Sequence, residues 1–328
     1  MESVKNAKRR NPMISIAKAI GIIFMVVGHV YDKESWGVHY IYMFHMPLFF
    51  VLSGYFFKCP RTKNDMIAFV KKKIVGLYIP YLLWTTFFIL IHNFLLKYKI
   101  GIEVYNFYDI FSSIFKSAAT FLSTERVLVG FWFLKALFSA CLYTALFAYA
   151  TRIKESTVIQ FPFFSLLCIF LMQLFGISNL TLFGMFYGSI FMVIGCLYRT
   201  FNLEYVFYKK RWLIIFAVIV FIVSRIYSDI RNTEMLFVDT TSFLPFTLTG
   251  CLGSLMVMLM SKKLSIYDNK KVVSLLRYIG DHTMIILALH YPLIKIFDFY
   301  FIHNINGFNS VRLSCGGGNR NHCSNCHI

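Results

Sequence analysis

Residues 18–29 read KAIGIIFMVVGH. Between Lys18 and His29 stand ten uncharged residues, most of them bulky and apolar. A stretch of that kind is suited to lipid, so an ionisable group at each end needs a reason. At about 100° per residue, eleven helical steps bring the two side chains to within about 20° of one face, about 16 Å apart along the axis. That separation is roughly half the thickness of a hydrocarbon core. Lys18 and His29 therefore share one stripe of a spanning helix at two depths.

The rest of the chain extends this reading. Of its 328 residues, 58% are hydrophobic, 19% aromatic and only 15% charged. A soluble domain needs more polar surface than that. Blocks such as IVGLYIPYLLWTTFFILIHNFLL (74–96) and FWFLKALFSACLYTALFAYA (131–150) have the length of membrane-spanning helices. The expected fold is all-α, a polytopic transmembrane bundle with nine spans near 13–30, 40–57, 74–96, 129–151, 157–176, 181–198, 212–228, 242–260 and 280–302. No soluble domain or internal repeat stands out. One composition shift separates a membrane domain, 1–302, from an atypical tail, 303–328.

The net charge of +18 first suggests nucleic-acid binding. The basic residues, however, fall in the short polar breaks between apolar blocks. With the N-terminus in the cytoplasm, the inner segments 1–12, 58–73, 152–156, 199–211 and 261–277 hold 21 Lys+Arg, against 8 in the outer segments. This is the positive-inside asymmetry of a multi-pass cell-membrane protein, a topology signal that excludes nucleic acid as the partner. The opening MESVKNAKRRNPM and the run after it have the outline of a signal peptide. The run is long and no small-residue cleavage site follows it before YDKES, so an uncleaved first span is expected. Of eight cysteines, Cys141, Cys168, Cys196 and Cys251 fall in spans and Cys59 at an inner edge. They read as small packing residues rather than a disulfide framework.

Taken singly, both ends of the opening stripe have plain explanations. Lys18 can snorkel to the nearby interface, and His29 can bond to Asp32, one turn on. Their shared face argues against both. In FHMPLFFVLSGYFF (44–57), Pro47 suits a first helical turn, and Ser53-Gly54 permits close helix approach. His45 then lies near the outer end of the second span, which a short loop brings beside the outer end of the first. A paired-histidine site open to the outer face is expected, able to accept a proton near neutral pH.

These blocks, together with YIPYLLW (78–84), FWFLKALF (131–138) and YIGDHTMIILALHYPLI (278–294), resemble the membrane-bound acyltransferase family 3, which includes polysaccharide O-acetylases. The wording is similar to its fucose 4-O-acetylase-like branch. The blocks occur in family order and cover residues 13 to about 297. The resemblance implies about ten spanning helices, an acyl-CoA donor at the cytosolic face and a sugar hydroxyl as acceptor. It implies essential roles for Lys18 and His29.

The chain departs from the family pattern in places. Ser15 stands where an aspartate often lies three residues before the basic position. The loop KKKIVGLYIP (71–80) has Gly76 where arginines often reach towards the IPY block. Lys71, Lys72 and Lys73 supply charge there, without the guanidinium fork, which implies weaker donor affinity. The same lysines also serve as topology determinants. Lys135 is explained equally by snorkelling, and Trp132 by an aromatic belt. His290 lies mid-span, where a structural hydrogen bond competes with an acceptor-site role. Ser53, Asp32, His45, Trp132, Lys135 and His290 form the acceptor-side or supporting set. The tail contains Cys323-Ser-Asn-Cys326-His327, the c-type haem attachment pattern. The family expects a further helix here, and the tail is too polar to supply one. A truncated or frame-shifted terminus explains both facts more simply than haem attachment or zinc ligation.

The expected mechanism is acyl transfer across the bilayer. Donor phosphates bind at the cytosolic mouth by Lys18 and 71–73, and the pantetheine arm runs past Ile22 and Met25. His29, oriented by Asp32 or assisted by His45, acts as general base on a hydroxyl of a cell-envelope glycan or lipid-linked sugar. A covalent acyl-histidine is the variant. Acetyl-CoA enters as substrate, with no cofactor or metal expected. The rival is a transporter or flippase for a glycan precursor or organic anion, although inverted repeats with interrupted helices are not found.

Overall fold

α1 (Pro12–Val30) begins where Asn11 accepts a hydrogen bond from the Met13 N–H at 3.1 Å, with Pro12 in the first turn. Most of its length is buried, because α1 runs through the bundle and packs against α2 (Trp36–Tyr55), α12 (Phe243–Ser265), α13 (Lys271–Asp281) and α14 (Thr283–Asn304). The computed structural model describes residues 11–31, 36–98, 103–120, 126–152, 160–177, 179–210, 212–226, 235, 243–267 and 269–304. The elements of the described residues are helical throughout.

Among the described residues, six helices are long and apolar enough to cross a membrane: Pro12–Val30, Lys63–Leu90, Trp132–Thr151, Leu182–Thr200, Phe243–Ser265 and Thr283–Phe301. The protein is a multi-pass membrane protein. Each of the nine expected spans coincides with a helix, yet three fall outside this group. α8 (Phe161–Leu174) and α11 (Trp212–Ile226) are apolar, but their 14 and 15 described residues rise about 22 Å against a hydrocarbon core of about 30 Å. α2 is long enough, but its histidines, tyrosines and Pro47 dilute its hydropathy. It tolerates them because α1, α9 (Leu180–Thr200) and α12 surround it.

Small residues set that packing. A Cβ on Gly54 would overlap the Met192 backbone of α9, so α2 and α9 cross at backbone contact. α7 (Trp132–Thr151) and α8 then pack on the other flank of α9, and α11 packs on α12. Cys59 and Cys141 are buried in the main apolar core, and Cys196 in a smaller one.

The third span departs most from its sequence outline. α3 (Lys63–Lys73) opens on a reciprocal cap, Thr62 Oγ accepting from the Asp65 N–H while Asp65 accepts from the Thr62 N–H. It runs without a break into a π-helical turn, Ile74–Tyr78, and then α4 (Ile79–Leu90). Pro80 accounts for the wide turn: it has no N–H to give the Gly76 carbonyl, so the chain passes to a five-residue bond, Ile79 N–H to Ile74 C=O. The expected span to residue 96 instead breaks at Ile91 and ends in a separate short turn, His92–Leu95.

Candidate active site

A cavity of about 410 Å³ lies among α1, α2, α7, the π-turn and the α13–α14 junction. Each wall contributes one stripe at helical spacing. α1 gives Ile14, Lys18, Ile22 and Met25; α2 gives Ser53, Phe49 and Met46 in the opposite chain direction, with Phe56 just past its end. Asp281, Thr283, Met284 and Leu287 form the third wall, and Phe133, Leu134 and Leu137 the fourth. Lys72, Lys73, Gly76 and Leu77 close the same end as Lys18 and Asp281. The cavity is thus charged at its lysine end and apolar along its length.

One helical turn beyond the apolar end, three of the four stripes reach a ring that can handle a proton. Met25 is followed by His29, Leu287 by His290, and Met46 is preceded by Tyr42. The His29 and His290 ring centres are 5.2 Å apart, and Tyr42 meets His29 edge-on at 6.1 Å. Tyr291 lies on the same side of α14, 6.4 Å from His29. His290 is 6% exposed, and its Nδ1 lies 3.1 and 2.9 Å from the carbonyls of Ile286 and Leu287. A carbonyl only accepts, so Nδ1 carries the proton and Nε2 keeps its lone pair.

The expected residues divide accordingly. Lys18, Lys72, Lys73 and Ser53 line the cavity, as do Ile22 and Met25. Lys71 is off the cavity wall; it is exposed, as is Lys72, while Lys73 is half-buried. The expected pairing of His29 with His45 gives way to one with His290. His45 is 2% exposed and its Nδ1 donates to the Ile41 carbonyl of its own helix at 2.6 Å. Met46 faces the cavity, so His45, one residue earlier, is turned about 100° away. Trp132 and Lys135 are half-buried on α7 but do not line the cavity. Asp32, Cys323, Cys326 and His327 lie outside the described residues. Among the described residues, no cluster of three or more His, Cys, Asp or Glu is placed to hold a metal ion.

Two residues escaped the sequence reading. Asp281, on the cavity wall, is an acid within an apolar block, and Tyr42, one turn beyond the lining, heads the stripe 42–46–49–53 on α2. The helical spacing of that stripe was the available signal.

Fold and cavity define a polytopic membrane protein in which a cavity runs from a lysine cluster towards a histidine pair and stops one helical turn short of it. Residues 11–317 match the acyltransferase domain family, nearly the whole chain, and the protein belongs to that family. The chain is 33% identical over 153 residues to the nodulation protein NolL of Sinorhizobium fredii (strain NBRC 101917 / NGR234), a match over 43% of this chain. It spans only 38% of that relative's length. No solved structure matches.

Proposed function

We propose that the protein is a membrane O-acyltransferase, of the O-acetyl type, that moves an acyl group from acyl-CoA to a hydroxyl of a cell-envelope sugar or polysaccharide. One observation carries this reading: a single cavity begins at Lys18, Lys72 and Lys73, passes Ile22 and Met25, and stops one turn short of His29. An anionic nucleotide suits the lysine end, and a flexible thioester arm suits the apolar length. The asymmetry of 21 to 8 basic residues supports a cytosolic lysine end in the cell membrane, with the acceptor meeting the histidines from outside.

In the reaction, the acceptor oxygen attacks the thioester carbonyl while its proton passes to His29. The new C–O bond forms, the C–S bond breaks, and the departing CoA thiolate takes the proton back. Family membership supports the acyl chemistry; acetyl-CoA and a glycan are the donor and acceptor we assign.

The test is to reconstitute the full chain in vesicles with acetyl-labelled CoA outside and cell-envelope glycan inside, and the reverse. Label on the glycan, lost in His29→Gln, is the expected result. Unmodified glycan crossing the vesicle wall with no label transferred would replace the enzyme with a transporter.

A further inference from the structure

We infer that Tyr42 is the positioning residue that presents Nε2 of His29 to the acceptor hydroxyl; this rests on the reading of His29 as the base. The phenol oxygen of Tyr42 lies 3.2 Å from the carbonyl oxygen of Gly28 and 3.5 Å from Nδ1 of His29. Gly28 is in the last turn of α1, two residues from its end. The carbonyl can only accept, so the single phenol hydrogen goes to it. Towards His29 the phenol oxygen then offers lone pairs, and Nδ1 meets it as an N–H donor. A neutral imidazole protonated at Nδ1 is unprotonated at Nε2. The relay runs from His29 Nδ1–H to Tyr42 O–H to Gly28 C=O and fixes which nitrogen is the base.

The glycine before His29 belongs to the same device. A Cβ on Gly28 would come within 3.3 Å of Cε2 of Tyr42 and 3.5 Å of the Ile41 side chain. The tyrosine ring reaches the end of α1 because that side chain is missing. The Nδ1 separation is long for a hydrogen bond, as is common at catalytic sites before substrate binds, and it shortens as the acceptor is engaged. On the opposite wall, His290 commits its own Nδ1–H to backbone carbonyls, so it cannot take over the relay. When His29 accepts the substrate proton at Nε2, the Nδ1–H bond to Tyr42 is retained, and no group has to turn.

The test uses ¹⁵N-histidine-labelled full-length protein in lipid nanodiscs, with the His29 signals identified by their loss in His29→Gln. The wild type is expected to show His29 as the Nδ1–H tautomer, and Tyr42→Phe, which keeps the ring, to show a tautomer mixture. Turnover of acyl-CoA in Tyr42→Phe is expected to fall about 10- to 100-fold with the acyl-CoA KM within about twofold. A purely structural tyrosine would leave the tautomer and kcat unmoved. Finding wild-type His29 as the Nε2–H tautomer, or unchanged in Tyr42→Phe, overturns the inference without any activity measurement. Full acyl transfer by His29→Gln would instead overturn the reading of His29 as base, so the two failures are separable.

Discussion

The hydroxyl of Ser15 donates to the Asp281 carboxylate across 2.7 Å, tying the first turn of α1 to the last residue of α13. Ser15 stands where the family pattern often has an aspartate, three residues before Lys18. Here the carboxylate reaches the same end of the cavity from another helix, and Lys18 and Asp281 line it together.

That exchange predicts a swap. Ser15→Asp sets a second carboxylate against Asp281, so the thermal midpoint should fall and the acyl-CoA KM should rise several-fold. Adding Asp281→Ser should restore both, with a coupling of about 1–3 kcal/mol in the double-mutant cycle. Melting curves and initial rates decide it; a double variant no better than Ser15→Asp alone would refute the idea of a transferred carboxylate.

The three consecutive lysines are not equivalent. Lys72 and Lys73 line the cavity, whereas Lys71 does not. Lys72→Ala and Lys73→Ala should each raise the acyl-CoA KM several-fold with little change in kcat, because each removes a charge partner for phosphate. Lys71→Ala should stay within about twofold of wild type. Lys18→Ala should raise the KM about tenfold and Lys18→Arg should keep most activity. Equal effects at all three loop positions would mean that the lysines act through topology or bulk charge.

Gly76 offers a gain rather than a loss. It lies on the cavity wall, and a Cβ there would meet no atom within 4 Å. Gly76→Arg should place a guanidinium fork at the lysine end and lower the acyl-CoA KM about three- to tenfold. A raised KM measured in nanodiscs would show that the open space is needed by the donor itself.

The helices were legible because lipid demands long apolar blocks, and the Lys18–His29 stripe because helical spacing is rigid. What the sequence withheld depends on how helices rotate against one another. His45 looked like the partner of His29 because both fall near the outer ends of their spans, and His290 read only as a mid-span residue with a structural or acceptor-site role. Only the packing of α2 among α1, α9 and α12 turns His45 inward and leaves Tyr42 on the cavity stripe. Asp281 was hidden for a related reason: its block read as one span. The structure breaks that block at His282, leaving α13 to pack on α1 as a separate short helix. The length of α2 was legible and its lipid exposure was not, because burial by neighbouring helices cannot be read from one segment.

The histidines then give an ordered set of defects. His29→Gln retains hydrogen bonding but takes no proton at neutral pH, so kcat should fall about 10²- to 10⁴-fold with the acyl-CoA KM nearly unchanged. His290→Gln should cost about tenfold in kcat, because its ring lies 5.2 Å from that of His29 while its Nδ1 is held by backbone carbonyls rather than by Tyr42. His45→Gln should act on stability: the side chain is buried and bonded within α2, so the thermal midpoint falls while the remaining folded protein turns over normally. Steady-state rates at matched folded concentration, with melting curves alongside, test all three. Should His45→Gln instead lose turnover as His29→Gln does, with its melting point intact, the base would have to be sought on α2. The ring pair of His29 and His290 would then be a packing contact.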